Sequence, residues 1–252
     1  MTADFIPASS LKQQYTVLGH FYSLSVPGSE PLKCRSVLEI RSKHARRGAM
    51  ADAVFVMMNP GSSRPVVETN HAVDAGQFAQ MVAKLVPTVA DATQYQVMRV
   101  MHSLGWDRVR LLNLSDLRDP QSGSFVERYL QLEQQAGSQV HSVFAPERSS
   151  ELQKKLSRKS NAPIICAWGV GDALSPLIGR ATSALACQPI VVGLAKSGQP
   201  GRYFHPLPSL QRQKEQWLAQ MLERLHGLSG LPSSPARASV PAQYINSGRE
   251  QR

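Results

Sequence analysis

Four short apolar runs, separated by segments long enough for helices, constrain the fold more than any other feature. They are AVFVMM at 53–58, VRLLNL at 109–114, APIICAW at 162–168 and PIVVGLA at 189–195. Strands made almost entirely of apolar residues are buried on both faces, which is typical of parallel strands covered by helices. We therefore predict an α/β fold, a three-layer α/β/α sandwich around a mainly parallel four-stranded sheet.

The segments between these runs supply the predicted helices. Residues 92–104 place apolar side chains near helical spacing, and residues 209–226 carry a stripe that includes Trp217, Leu218 and Met221. Further helices are predicted over 125–136, 146–158 and 171–185.

The two ends of the chain differ from this alternation. Two β-like runs within residues 15–42 flank the turn-rich PGSEPLK and predict a β-hairpin. We expect an N-terminal extension and hairpin, residues 1–50, to pack on an α/β domain of residues 51–228. Residues 229–252 are rich in Pro, Ser and Arg without periodicity, so we predict a disordered tail.

The charge balance favours a polyanionic partner. Lys and Arg outnumber Asp and Glu by 28 to 18, which gives a formal net charge of +10. Such a surface suits DNA, single- or double-stranded, although it can also serve solubility alone. No apolar run reaches the roughly 18 residues that a membrane span needs, and the first residues lack a signal-peptide pattern. We expect a cytoplasmic monomer that binds nucleic acid and no membrane.

The sequence carries no motif for a metal or a cofactor. Cys34, Cys166 and Cys187 lack the spacing of zinc ligands, so we expect free, mostly buried thiols. The stretch WGVGD resembles the start of a dinucleotide-binding turn, but Leu174 occupies the third glycine position and no acid follows at the ribose spacing. We therefore predict neither a metal nor a cofactor.

Polar residues stand at the ends of three predicted strands. Ligands of open parallel sheets bind at the carboxyl ends of the strands, where Asn59, Asn113 and His205 are expected. Each has an ordinary alternative: Asn59 suits a turn before proline, Asn113 can bind a neighbouring backbone, and His205 suits a loop. Their joint position favours a single site.

Short motifs in the same order resemble a known superfamily. MMNPG, RLLNL, CAWG and FHPLPS resemble motifs of the uracil-DNA glycosylase superfamily, in particular its mismatch-specific and single-strand-selective branches. More narrowly, residues 35–210 look like the bacterial and phage family called domain of unknown function 1643. The wider resemblance implies hydrolysis of the N-glycosidic bond of uracil or a modified pyrimidine flipped out of DNA.

This chemistry assigns roles to the strand-end residues. Base excision creates an oxocarbenium-like sugar and an anionic base. His205 is expected to donate to the pyrimidine oxygen that gains charge, and Asn113 to pair with the Watson–Crick edge. Asn59 is expected to orient water, because an amide is not basic enough to be a general base. The other expected substrate contacts are Pro60, Gly61, Trp168 and, as a stacking platform, Phe78. The expected DNA contacts are Arg64, Arg118, Lys196, Ser197, Arg202, Ser209 and Arg212.

Two departures leave an alternative open. Leu207 stands where the superfamily motif has a serine that clamps phosphate, so either Ser209 replaces it or the clamp is lost. The polar loop 62–76 suits a different substrate. The alternative function is a nucleic-acid or nucleotide binding or processing protein on the same fold, without glycosylase chemistry.

Overall fold

The computed structural model describes residues 5–26, 30–69, 71–74, 76, 78 and 81–228. Within these residues the chain forms nine strands and six α-helices. The strands are β1 (Tyr15–Ser25), β2 (Leu32–Ser42), β3 (Ala53–Met57), β4 (Arg64–Pro65), β5 (Ala72–Asp74), β6 (Val86–Val89), β7 (Arg108–Asn113), β8 (Ile164–Cys166) and β9 (Val191–Val192). The helices are α1 (Ala8–Gln14), α2 (Ala92–Leu104), α3 (Ser122–Ala136), α4 (Ser149–Leu156), α5 (Ser175–Leu185) and α6 (Gln211–His226). The predicted disordered tail, 229–252, lies outside the described residues.

The strands form one mixed sheet in the order β4-β6-β1-β2-β7-β3-β8-β9, with β5 beside β1. Strands β7, β3, β8 and β9 pair in parallel, whereas β4, β6, β1, β2 and β7 pair in antiparallel fashion. Most of the paired residues are in the antiparallel ladders. The prediction of a mainly parallel four-stranded sheet is therefore wrong for this nine-stranded sheet.

The N-terminal hairpin causes this difference. Its two strands pair over almost their full length, as predicted, and β2 then pairs with β7 with Leu38 opposite Leu111. The hairpin thus extends the sheet, and residues 27–29, where the sequence predicts its turn, lie outside the described part. The division of the chain at residues 50 and 228 stays a prediction.

Helices cover both faces of the parallel part of the sheet. Side chains alternate along a strand, so Val54 and Val56 of β3 face α3, α4 and α5, in one buried cluster. Phe55 and Met57 face the opposite way, in a second cluster with α1, α2 and α6. Both clusters consist mainly of fully buried side chains, and together they form the core on either side of the sheet.

The sequence predicts the helices well where their ends carry strong signals. Helix α2 has the predicted bounds because Asp91 and Gln94 form a capping box at its start and Gly105, at φ 65°, ends it. The predicted helices 146–158 and 171–185 each begin with a short 3-10 turn, at 146–148 and 172–174.

All three cysteines are free thiols. Cys34 and Cys166 are buried, and Cys187 is exposed. In the part of the chain described here, no helix combines the length and apolar character needed to cross a bilayer.

Candidate functional site

A pocket of about 590 Å³ opens at the carboxyl ends of β3, β7 and β8. Its volume lies within the roughly 300–1,000 Å³ typical of ligand sites. Met57 and Met58 reach it from β3, Trp168 and Gly169 from the end of β8, and Leu111 from β7. The parallel part of the sheet therefore places the pocket where ligands of α/β sheets bind.

The pocket gathers most of the predicted catalytic and substrate-binding residues. Asn59, Pro60, Gly61, Trp168 and His205 all line it. Asn59, Pro60 and Gly61 follow β3, Trp168 follows β8, and His205 lies in the loop between β9 and α6. Their convergence on one cavity supports a shared role.

Asn59 ties two loops together and keeps one polar atom available. Its Nδ2 donates to the backbone oxygen of Asp119 at 2.6 Å and approaches that of Leu117 at 3.5 Å. Its Oδ1 accepts no hydrogen bond from the described residues, so it can accept one from water or a ligand. Gly61, at φ 60°, turns the chain in the left-handed region directly after this residue.

His205 presents a neutral N–H donor to the pocket. Its Nδ1 accepts a hydrogen bond from the backbone N–H of Leu207 at 3.2 Å, so the proton of the neutral ring is on Nε2. Loss of hydration on burial lowers its pKa to about 4. The ring is therefore uncharged at neutral pH. The following residue, Pro206, is fixed to α2 because its backbone oxygen accepts from Nε2 of Gln96 at 3.0 Å.

Asn113 does not itself line the pocket, because Arg35 of β2 stands in front of it. Nη2 of Arg35 donates to Oδ1 of Asn113 at 2.7 Å, and Arg35 is the residue of this pair that lines the cavity. Oδ1 of Asn113 thus faces Arg35, and its Nδ2 is buried. The expected pairing of this amide with a Watson–Crick edge would need both of its polar atoms, so the geometry does not favour it.

Three helices or helical turns begin at the pocket. Ala92 and Thr93 at the start of α2, Ser122 at the start of α3, and Ala173 in the turn before α5 all line it. The first N–H groups of a helix carry partial positive charge and favour negative charge nearby. The pocket therefore combines several such termini with the guanidinium of Arg35.

Two carboxylates also line the pocket. Asp91 caps α2 by accepting from the backbone N–H and the side chain of Gln94. Asp119 accepts from the backbone N–H of Gln121 and the hydroxyl of Ser124. Burial raises the pKa of the Asp91 carboxyl, so its carboxylate is a stronger base than that of a solvated aspartate.

The two predicted aromatic contacts have different positions. Trp168 forms a wall of the pocket, with its Nε1 donating to the backbone oxygen of Gly201 at 2.9 Å. Phe78 does not line the pocket; it lies edge-on to Tyr22 and 4.7 Å below the guanidinium of Arg148 in the core. The structure therefore does not bring the predicted stacking platform to this site.

None of the seven predicted DNA contacts lines the pocket. Arg64, Ser197, Ser209 and Arg212 are exposed, and Lys196 is partly buried. The guanidinium of Arg118 lies 5.3 Å from the ring of Phe21. Arg202 is held by the turn before α5, where it donates to Ser175 at 2.6 Å. Arg202 is therefore the least available of these seven residues for a phosphate.

The polar loop 62–76 contributes little to the pocket. Only Ser62 among its described residues lines the cavity. His71 instead lies 3.2 Å from Nε2 of His20, on β1. Residues 70 and 75 lie outside the described part.

Sequence reasoning missed Arg35, Asp91 and Asp119. Asp91 has a readable signal, since D-x-x-Q before an apolar run predicts a capped helix start. Arg35 has a weaker one, a charged residue inside the β-like run CRSVLEI. Its position at the pocket depends on the pairing of β2 with β7, which the sequence does not reveal.

No protein-family model matches the chain, and no curated protein resembles it closely enough to count as a match.

Proposed function

We propose that this protein is a DNA glycosylase-like hydrolase that cleaves the N-glycosidic bond of uracil or a modified pyrimidine. The observation that carries the proposal is the convergence of Asn59, His205 and the Arg35–Asn113 pair at one cavity. The motif order that resembles the uracil-DNA glycosylase superfamily supports the same reaction. So does the net charge of +10, which suits a DNA substrate.

The proposed reaction breaks the bond between C1′ of deoxyribose and the ring nitrogen of the base. The base leaves with the bonding electron pair, and a water oxygen bonds to C1′. His205 donates its Nε2 proton in a hydrogen bond to the oxygen where negative charge develops. The helix N-termini around the cavity favour the same charge.

Water is the second reactant in this proposal. Oδ1 of Asn59 accepts a hydrogen bond from it and so fixes its orientation. Asn59 cannot take the proton, because an amide has no useful basicity. Asp91 is the candidate acceptor, because its carboxylate lines the cavity and burial raises its pKa.

DNA is proposed to bind at the rim around His205. Phe204 is 45% exposed and Leu210 is 63% exposed, so two large apolar side chains flank the loop that carries the histidine. Apolar side chains of this kind support base flipping by filling the gap in the stack. The exposed Arg212 next to them suits a phosphate contact.

The test is an excision assay with uracil-containing oligonucleotides, single- and double-stranded, in which abasic product is detected as alkali-labile strand cleavage. His205→Ala is expected to lower the rate by about 10²–10³-fold, the usual effect of losing one oxyanion donor. His44→Ala is the matched control, because His44 is an exposed histidine that does not line the pocket. Absence of product over a panel of uracil and modified pyrimidines would refute the proposal.

A nucleotide-binding or nucleotide-processing protein is the second candidate. Arg35 and the helix N-termini favour it, because both also suit a phosphate group. The two candidates differ in the assay above: this one predicts saturable nucleotide binding by a protein that leaves the glycosidic bond intact.

A further inference from the structure

Arg35 is a buried cation that forms no salt bridge with the described residues, although the charges of Asp91 and Asp116 act on it from a longer distance. It is 3% exposed, and its one side-chain hydrogen bond within these residues joins Nη2 to Oδ1 of Asn113. Its Nε is buried and has no hydrogen-bond partner among the residues that the structure describes. No carboxylate of the described residues lies within 4.0 Å of its nitrogens. The guanidinium therefore keeps most of its N–H donors unused where it lines the pocket.

Such an arrangement destabilises an empty site. A buried charge is unfavourable unless it is paired and hydrogen-bonded, and burial lowers the pKa of Arg35 to about 10, which still leaves it charged at neutral pH. A bound group that accepts hydrogen bonds would remove this penalty. The unused donors thus indicate which kind of ligand atom belongs beside them.

Asn113 offers the ligand no acceptor that could change this preference. Its Oδ1 faces Arg35, and the reverse orientation of the amide would oppose two donors. Its Nδ2 is buried and has no partner among the described residues. The Arg35–Asn113 pair therefore presents donors, and the neighbouring helix N-termini add positive potential.

The two nearby carboxylates do not cancel this pattern. Both oxygens of Asp91 accept from Gln94, and both oxygens of Asp119 accept from the start of α3 or from Ser124. These hydrogen bonds direct the carboxylates to the helix starts. Asp119 pairs instead with Arg128 at 3.3 Å, and Asp91 forms no salt bridge with Arg35, although its charge offsets part of the effect of burial on the pKa of Arg35.

We infer that Arg35 contacts the ligand at the floor of the pocket through a carbonyl or anionic oxygen, and that Asn113 is a positioning residue that holds the guanidinium there. The inference rests on the proposed function for the identity of the ligand, which is the pyrimidine base that leaves as an anion. The contact with the charged base is thereby assigned to Arg35, and Asn113 is no longer expected to pair directly with the Watson–Crick edge.

The experiment measures binding of free bases to the full chain by calorimetry, without excision. Uracil is compared with 5-fluorouracil, whose more acidic N–H makes it the more anionic ligand at the same alkaline pH. The unmodified protein is expected to bind 5-fluorouracil about 10- to 100-fold more tightly than uracil, the range of one hydrogen bond to a charged group. Inorganic phosphate and acetate are titrated in parallel as anions that are not bases.

Three variants separate the contact from a structural role. Arg35→Met is expected to abolish the preference for 5-fluorouracil. Asn113→Asp keeps the guanidinium but neutralises it with an adjacent carboxylate, so the same loss is expected even if Arg35→Met fails to fold. Arg99→Met is the matched control, because Arg99 is a buried arginine, 7% exposed, whose donors go to Ile6 and Gln96 and which does not line the pocket.

The outcomes distinguish this inference from the proposed function. Excision with an unchanged base preference in Arg35→Met and Asn113→Asp would overturn the inference and leave the glycosylase standing. Anion-selective base binding that depends on Arg35, in a protein without excision, would support the inference and refute the enzyme. Binding of phosphate or acetate alone, or of no ligand in the panel, would overturn the assignment of Arg35 to a base.

Discussion

Replacing Arg35 by methionine should leave the protein about as stable as before, although it deletes a buried charged side chain. Burial lowers the pKa of Arg35 well below its ordinary value, to about 10. At about 1.4 kcal/mol per pKa unit, the surroundings disfavour the charged form by about 3 kcal/mol. Methionine removes this penalty and keeps much of the side-chain volume. The substitution also leaves Oδ1 of Asn113 without its donor, which costs about 1–3 kcal/mol.

The double variant Arg35→Met with Asn113→Leu removes both the buried charge and the amide that would lose its hydrogen-bond donor. We expect it to be more stable than the unmodified protein by about 1–3 kcal/mol. Asn113→Leu alone should be the least stable of the set, because it takes away the hydrogen bond of the guanidinium with the described chain. The non-additivity of the pair measures their coupling.

Urea unfolding, followed by far-ultraviolet circular dichroism, gives these free energies from the midpoint and slope of each curve. The slopes should agree among the unmodified protein, the two single variants and the double variant, since a change in slope would mean a change in the surface exposed on unfolding. A loss of more than about 3 kcal/mol in Arg35→Met would refute the reasoning, because it would mean that the guanidinium makes stabilising bonds typical of a buried, fully paired ion.

Three further predictions concern buried ionisable side chains other than Arg35. Asp91→Asn should change the free energy of unfolding by less than about 1 kcal/mol, because asparagine caps helices as well as aspartate does. It should lower the excision rate at least about 10-fold if the carboxylate takes the proton of water. A loss of activity that only follows a loss of stability would indicate that Asp91 is a helix cap alone. Burial lowers the pKa values of His20 and His205 from 6.5 to about 4. The stability that their neutral forms contribute is therefore complete above pH 6.5 and is lost as the pH falls from 6.5 to about 4. Urea unfolding midpoints should decline as the pH falls through this window, and a flat profile would contradict the lowered pKa values. Arg148→Met should cost about 3–5 kcal/mol in urea unfolding because it leaves Asp116 buried and uncompensated, whereas a cost below about 1 kcal/mol would show that the pair is dispensable.

The pairing of β2 with β7, which the sequence does not reveal, explains both the wrong prediction of the sheet and the missed site residue, Arg35. The four apolar runs identify strands that do pair in parallel, because continuous burial leaves a clear pattern in the sequence. The hairpin strand β2 carries charged residues, including Arg35 and Glu39, and reads as a peripheral element. Its backbone nevertheless continues the sheet: the N–H of Arg35 donates to the oxygen of Asp116 at 2.8 Å, just after β7. This pairing makes the sheet mixed and also brings Arg35 to the pocket.

Local signals in the sequence locate Asn59 and His205 well, but not their hydrogen bonds. Strand ends and the following prolines place both residues at the edge of a sheet, and both line the pocket. The choice of tautomer at His205 depends on the backbone N–H of Leu207, and the orientation of the Asn113 amide depends on Arg35. Contacts of this kind arise from tertiary structure, so no residue pattern announces them.

Two of the buried arginines, Arg35 and Arg148, differ in how their charge is compensated. Arg148 lies on the other face of the sheet and binds Asp116 at 2.7 Å, the oxygen of Val140 at 2.8 Å and Glu151 at 2.7 Å, and its pKa is raised well above the usual value, chiefly by Asp116. This fold can therefore compensate a buried guanidinium fully. Among the described residues it does not do so for Arg35, whose pKa is lowered by burial and which donates only to Asn113. This difference supports the proposal that an oxygen of the ligand pairs with Arg35.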